Sequence, residues 1–175
     1  MTGSASYHDK DCSCHSSVFT SKDDADVITG AVYIKPVPYM EADTKKCPDD
    51  YYYYGNVSCF RFFGTLVNHG TAVQVCQQQN ASLIKIDSDD KQEHVNQYLD
   101  WHPAELVHIQ GYRGLEDDSW FFEDGNEMEF NNWNERQPVN DPQNSHIVMD
   151  ILEGGGHWSN VNPEYVASSL CEIYI

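Results

Sequence analysis

The chain has 175 residues, enough for one domain and an appendage, and its 40% apolar and 13% aromatic content suffices for a core. No apolar run reaches about 18 residues, so no membrane-spanning helix is expected. The formal charge of −18 argues against a nucleic-acid or anionic-membrane partner and permits a basic protein or a bound cation.

The charge is uneven: residues 1–46 carry −2 and residues 47–175 carry −16. The start, Met1-Thr-Gly-Ser-Ala-Ser-Tyr7, has neither a basic nor an apolar signal region, so no signal peptide is expected there. Residues 1–24 are polar and rich in Ser, Asp and Lys. Val27 to Ile34 reads as a strand, and Pro36 and Pro38 end it and open a linker. A domain boundary is placed near Lys46, with an oligomerising arm over 1–46 and a folded domain over 47–175. Cys12 and Cys14 are one residue apart and bridge each other poorly, so they are expected to link two chains into a homodimer. Even with His8 and His15 nearby, their spacing is not that of a structural zinc site.

Cys47 to Cys59 reads as a small hairpin, with β propensity over Tyr51 to Tyr54 and a turn at Gly55-Asn56. Strand alternation predicts that about half of those tyrosines are exposed. Phe60 and Phe62 share an inward face. Thr71 to Gln79 reads as a helix with Ala72, Val75 and Cys76 on one side. Leu83 to Ile86 reads as a short strand. Asp87-Ser88 caps a second helix, with Asp89 and Asp90 in its first turn, Val95, Tyr98 and Leu99 as its buried stripe, and Pro103 as its stop. From Val107 onward, short strands alternate with long polar loops. The sequons Asn56-Val-Ser58 and Asn80-Ala-Ser82, together with six cysteines and no Cys-x-x-Cys, favour a secreted, extracellular chain glycosylated at Asn56 and Asn80.

The chain is organised around Trp120 to Cys171. That stretch reads Trp120-Phe-Phe-Glu-Asp-Gly125, Phe130-Asn-Asn-Trp133, Gln137-Pro-Val-Asn-Asp141, His157-Trp-Ser-Asn160 and Leu170-Cys-Glu-Ile173. Asp124-Gly125 is a turn signal, and Trp133 and Trp158 are large apolar anchors. The amides and acids between Pro138 and Asn160 supply oxygen without a nucleophile. This reads as a loop-rich recognition surface on a small sheet. Glu127 and Glu129 follow a turn and read as solvated acids rather than a glycosidase dyad. His146 and His157 read as packed or surface residues rather than a metal pair. No Ser-His-Asp spacing, phosphate loop or His-Glu-x-x-His occurs, so no enzyme is expected.

In this order the motifs resemble the long form of the C-type lectin-like domain, over residues 47–175, about three quarters of the chain. The resemblance implies an α+β double-loop fold with two helices, small antiparallel sheets and a long loop. It implies bridges Cys47–Cys59 and Cys76–Cys171, and a cis peptide at Gln137–Pro138. Ile109-Gln-Gly-Tyr112 stands where the family has Trp-Ile-Gly-Leu. The family's second bridge has no counterpart: its positions fall at His146 and at Asn162 or Pro163.

In sugar-binding members, a calcium is held by a Glu-Pro-Asn or Gln-Pro-Asp triplet, a further Glu, and an Asn-Asp pair after the Trp. The matching positions here are Gln137, Val139, Asn144, Ser159 and Asn160, all uncharged, and Val139 has no side-chain oxygen. Calcium takes six to eight oxygens, several of them carboxylate, so a cage of amides is weak. Any metal is expected to lean on Asp117, Asp118, Asn140 and Asp141. Ligand contact is expected from Gln137, Asn140, Asp141, Asn144, Trp158 and Asn160. The expected function is recognition of a protein or glycoprotein largely without the sugar-coordinating calcium. The alternative is a calcium-dependent carbohydrate-binding lectin using Gln137-Pro138-Val139.

Overall fold

The structure is a computed structural model that describes residues 47–55, 57–102, 105–115, 118–152 and 155–175. The expectations for residues 1–46, including the Cys12 and Cys14 link and the boundary at Lys46, lie outside the described residues. So do those for Asn56, Pro103 and Asp117.

The chain opens on a hairpin, β1 (Tyr52–Tyr54) against β2 (Ser58–Val67), followed by helix α1 (His69–Gln77). Then come β3 (Ser82–Leu83), helix α2 (Asp89–Leu99), β4 (Leu106–Arg113) and β5 (Trp120–Phe121). After the long loop follow β6 (His146–Asp150), β7 (His157–Val161) and β8 (Ala167–Tyr174). This is the expected α+β composition. The strands join in one connected sheet, ordered β1-β2-β8-β4-β6-β7, with β3 against β8 and β5 against β4. The described pairings between these strands are antiparallel except β4 with β8, and an isolated Trp133–Trp158 bridge is also parallel.

Sequence explains the helix starts. Asn68 caps α1 by accepting the Thr71 N–H, which sets the start two residues before the expected Thr71. Ser88 caps α2 by accepting the Lys91 N–H, with Asp89 and Asp90 favourably placed in the first turn. Val95 and Leu99 are fully buried and Tyr98 half-buried, as expected. The same helix also buries Lys91 and Gln92, which an apolar pattern does not reveal.

The main core joins Phe60 of β2, Val95 and Leu99 of α2, Ile109 of β4, Ile147 of β6 and Trp158 of β7. Each such side chain contributes about 1.5–3 kcal/mol on burial. Trp158 stacks edge-on against Phe130 and Trp133, at 5.7 and 5.8 Å between ring centroids. A second cluster gathers Ala72, Cys76, Leu83 and Cys171. The two expected bridges are present: Cys47–Cys59 ties the first hairpin, and Cys76–Cys171 ties α1 to β8. Gln137–Pro138 is cis.

Two local readings need correction. The tyrosines do not leave half their number exposed, because Tyr51 to Tyr54 are all half-buried. Tyr52 and Tyr54 share a face and pack on Phe60, at 4.9 and 6.3 Å, and the Tyr54 hydroxyl donates to Asp90 at 2.7 Å. The strand expected over Leu83 to Ile86 is ladder-paired only at Ser82–Leu83. Beyond it the Lys85 N–H donates at 3.1 Å to the Glu172 carboxylate rather than to a neighbouring strand. Gly111 lies where β4 and β6 shift register, and a Cβ there would collide with Ile147 Cδ1. Only glycine fits that approach.

Candidate functional site

Strands β6 and β7, which follow the long loop, pair side by side, with Ile147 opposite Asn160 and Met149 opposite Trp158. The loop between β5 and β6 returns over that edge. Its backbone is pinned at Trp158, whose N–H donates to the Asn132 carbonyl and whose carbonyl accepts from Asn134, both at 2.8 Å.

Trp158, expected at the ligand surface, lies in the core with 0% exposure. Its indole N–H donates at 2.8 Å to Gln92 of α2, and Gln92 in turn donates to Asn96 at 2.8 Å. The indole therefore anchors β7 to α2 instead of facing a ligand. Gln92 is a residue the sequence reading missed: a Gln on a polar helix carries no signal of its own.

Asn160 is also buried, 4% exposed, and its amide closes the loop. Its Oδ1 accepts the Val139 N–H at 2.7 Å, and its Nδ2 donates to the carbonyls of Val139 at 2.9 Å and Asn144 at 3.0 Å. The Gln137 Oε1 accepts from the Val139 and Asn160 N–H groups, each at 3.3 Å. The oxygens that face a calcium in sugar-binding members are thus aimed at backbone N–H groups. An NH₂ group donates where a cation would need an acceptor. Val139 offers a methyl-bearing side chain, and Ser159 sits in the ladder opposite Val148. This donor set does not fit calcium, which needs several free oxygens in one cage.

The second expected metal set does converge, but on an arginine. Arg113, at the end of β4, donates from Nε to the Asp118 Oδ1 at 3.0 Å and from Nη2 to the Asn140 Oδ1 at 2.7 Å. Its Nη1 donates to the Asp141 carbonyl at 2.8 Å. The Asp141 carboxylate points elsewhere and accepts the Gln143 N–H at 2.9 Å. The guanidinium side chain is 8% exposed, whereas the Asp118 side chain is 68% exposed. Asp118, Asn140 and Asp141 were expected around a metal; they surround a cation belonging to the chain. Among the described residues no group of three or more His, Cys, Asp or Glu is placed to hold a metal ion.

The lost bridge has a substitute that the sequence did not announce. His146 opens β6, and its ring lies 3.8 Å from that of His69, the first residue of α1. The His69 N–H donates to the Pro163 carbonyl at 3.1 Å, so one residue touches both positions. His108 of β4 completes the cluster, 5.7 Å from His69, with its Nε2 donating to the Val67 carbonyl at 2.9 Å. Glu164 on the adjoining turn accepts from the Asn68 amide at 3.0 Å.

Burial, then the neighbouring His146 and His108, holds the His69 imidazole down at about 3. Burial lowers His108 and His146 as well, and His108 adds to the lowering of His146. A lowered folded-state value means that the unfolded chain takes up protons first. The contribution is complete above the ordinary histidine value of about 6.5 and is lost as the pH falls from there. Melting temperature should therefore drop as the pH falls from about 6.5 toward about 3, and His146→Gln should flatten that slope. A His146→Gln variant with the parent's slope would place the acid sensitivity elsewhere.

A family model described as Lectin C-type domain matches residues 65–173. This chain belongs to the C-type lectin domain family. The human NKG2-D type II integral membrane protein is 33% identical to this lectin domain over 89 residues, which is 51% of this chain and 38% of that relative. The chain thus spans about two fifths of the length of the NKG2-D relatives it matches. Among solved structures, the C-type lectin CEL-I from Cucumaria echinata superposes with a TM-score of 0.65 at 23% identity, covering 73% of this chain and 96% of that one. A calcium-independent type II antifreeze protein superposes at 0.64 with 20% identity, over 74% of this chain and 95% of that one. These two likenesses carry the fold. Among the described residues no helix is long and apolar enough to cross a membrane.

Proposed function

We propose that this C-type lectin domain, over residues 47–175, is an extracellular, non-enzymatic recognition module that engages a protein or glycoprotein without a sugar-coordinating calcium. The observation that carries the reading is the buried amide of Asn160, which bonds Val139 on both sides and Asn144. A loop closed by its own hydrogen bonds presents a fixed surface and needs no ion for order. Gln137, Asn140, Asp141 and Asn144 are the ligand-facing polar groups of that surface. The first three of these lie close to the exposed Val139, and Asn140 and Asp141 are themselves exposed.

Supporting this, one protein that shares the fold is a calcium-independent type II antifreeze protein, so the fold is compatible with such a loop. Glu127 and Glu129 are both exposed, which suits solvated acids better than a catalytic dyad. In the same reading the 1–46 arm links two chains through Cys12 and Cys14, and Asn56 and Asn80 carry glycans. Asn80 is exposed just beyond α1.

The test is a glycan array and a glycoprotein panel, each read in calcium and again in chelator. Bound signals should be the same in both conditions. Sugar signals present in calcium and lost in chelator would instead assign the calcium-dependent lectin that uses Gln137-Pro138-Val139.

A further inference from the structure

The C-terminus of α2 lacks the basic side chain that its partial negative charge favours: the last turn has none, and the C-cap is Asp100. Residues 87–105 carry six acids against Lys91 alone. Lys91 is buried on Glu172, so it neutralises nothing on the outer face of the helix. Glu93 accepts from Gln97 Nε2 at 3.2 Å. Among the described residues neither Glu93 nor Asp100 sits in an ion pair.

Those two acids border a cleft of about 230 Å³ between α2 and the turn from β6 to β7. It is lined by Glu93, Asn96, Gln97 and Asp100 on one side and by Ile151 and Gly156 on the other. Its walls are fixed by an amide network. Asn96 accepts from Gln92 at 2.8 Å and donates to the Gly155 carbonyl at 3.3 Å. The Asn132 amide donates to the carbonyls of Gly155 and Gly156, at 2.9 and 3.0 Å. A Cβ at Gly156 would collide with Asn96 Oδ1, so only glycine lets helix and turn approach this closely. A cleft formed in advance lowers the cost of binding. It is smaller than the roughly 300–1,000 Å³ of small-molecule pockets and suits a single side chain.

Two large apolar side chains adjoin it in the chain. Trp101 follows Asp100 and is 60% exposed, and Leu152 follows Ile151 and is 68% exposed. The other tryptophans are buried or half-buried. Charge repulsion alone does not require a tryptophan in water, whereas Trp beside unpaired acids is the composition of a protein-docking spot.

We infer that this cleft is a second docking surface, which takes an arginine side chain from a basic protein partner. The guanidinium pairs with Asp100 and lies on the Trp101 indole, and its methylene stem covers Ile151. Glu93 and Asp100 are seven residues apart, about 10 Å along the helix axis, so Glu93 draws a second basic residue of the partner. The surface shares no residue with Gln137 to Asn144, so it stands independently of the long-loop reading.

The experiment titrates the full chain with the peptide acetyl-Arg-Ala-Ala-Arg-amide, whose two arginines span about 10 Å when extended, and with its lysine counterpart. Amide NMR spectra locate the binding, and Trp101 fluorescence gives the affinity. Shifts should concentrate on Glu93 to Trp101 and on Ile151, Gly155 and Gly156. Asp100→Asn should weaken binding by roughly fivefold or more, the loss of a charge-assisted pair. Trp101→Ala, read by NMR, should do the same by removing the stacked ring. Both positions are exposed, so unchanged shifts of core amides in β4 are expected as the folding control. Glu135→Gln removes the same charge from the long loop and should change affinity by less than about twofold, as a screened distant charge does. The lysine peptide should bind roughly threefold or more weakly, because an ammonium lacks the planar face. Shifts spread over the whole acidic surface or centred on residues 137–144 would overturn the inference. So would equal weakening by Glu135→Gln, equal binding of the lysine peptide, or no binding at millimolar peptide in low salt.

Discussion

Replacing Glu172 with alanine should destabilise the domain by about 3–5 kcal/mol, the range for stripping one partner from a buried ion pair. Glu172 lies on β8 with its side chain 0% exposed, and Lys91 of α2 meets it at 2.6 Å while 4% exposed. The carboxylate also takes the Lys85 N–H, so its loss orphans a backbone donor as well as an ammonium. Tyr174 is drawn into the same network: burial and the nearby Glu172 raise its phenol well above the usual range, and Lys91 Nζ lies 5.4 Å from its ring centroid. The pair as a whole is a weaker stabiliser than the single deletion suggests, because two charges were desolvated to make it. The double change Lys91→Met, Glu172→Leu should accordingly recover most of the loss. Urea unfolding of the three variants measures this. A Glu172→Ala loss under about 1 kcal/mol would mean that water reaches the pair and screens it.

The second large effect belongs to Cys76–Cys171. Changing both cysteines to alanine should cost about 4–5 kcal/mol in the chain-entropy account, since the bridge closes a loop of 95 residues. The Cys47–Cys59 bridge spans 12, and its removal should cost about 3 kcal/mol or less. The longer bridge is also the better packed, with both sulfur-bearing residues at 0% exposure beside Ala72 and Leu83. Unfolding curves of the two double-alanine variants set the order. A larger loss at Cys47–Cys59 would contradict it.

Much of the fold was legible because its signals are local or modular. Caps at Ser88, a turn at Asp124-Gly125 and the spacing of Cys76, Trp158 and Cys171 each mark an element by residue type. Both bridges followed from the resemblance to the long-form family, since six cysteines alone leave fifteen pairings open. The site was legible in its chemistry but not in its geometry. The sequence shows that Gln137, Val139, Asn144, Ser159 and Asn160 are poor calcium ligands. It does not show that Asn160 turns its amide inward, or that Trp158 is wholly buried. Those facts depend on register between β6 and β7, where a single-residue slip would reverse every side chain. Arg113, His69 and Gln92 were silent for a related reason. Each acts across the fold on residues tens of positions away, and nothing beside it in sequence marks that role.

The central claim is that the long loop is closed by Asn160 and Arg113 rather than by an ion. Calorimetric titration of calcium into the full chain in physiological salt, with melting curves in calcium and in chelator, tests it most directly. The account predicts no binding heat tighter than about millimolar and superimposable melting curves. A micromolar affinity with a raised melting temperature, lost in Asn160→Ala and Gln137→Ala, would contradict it and make calcium the loop's organiser.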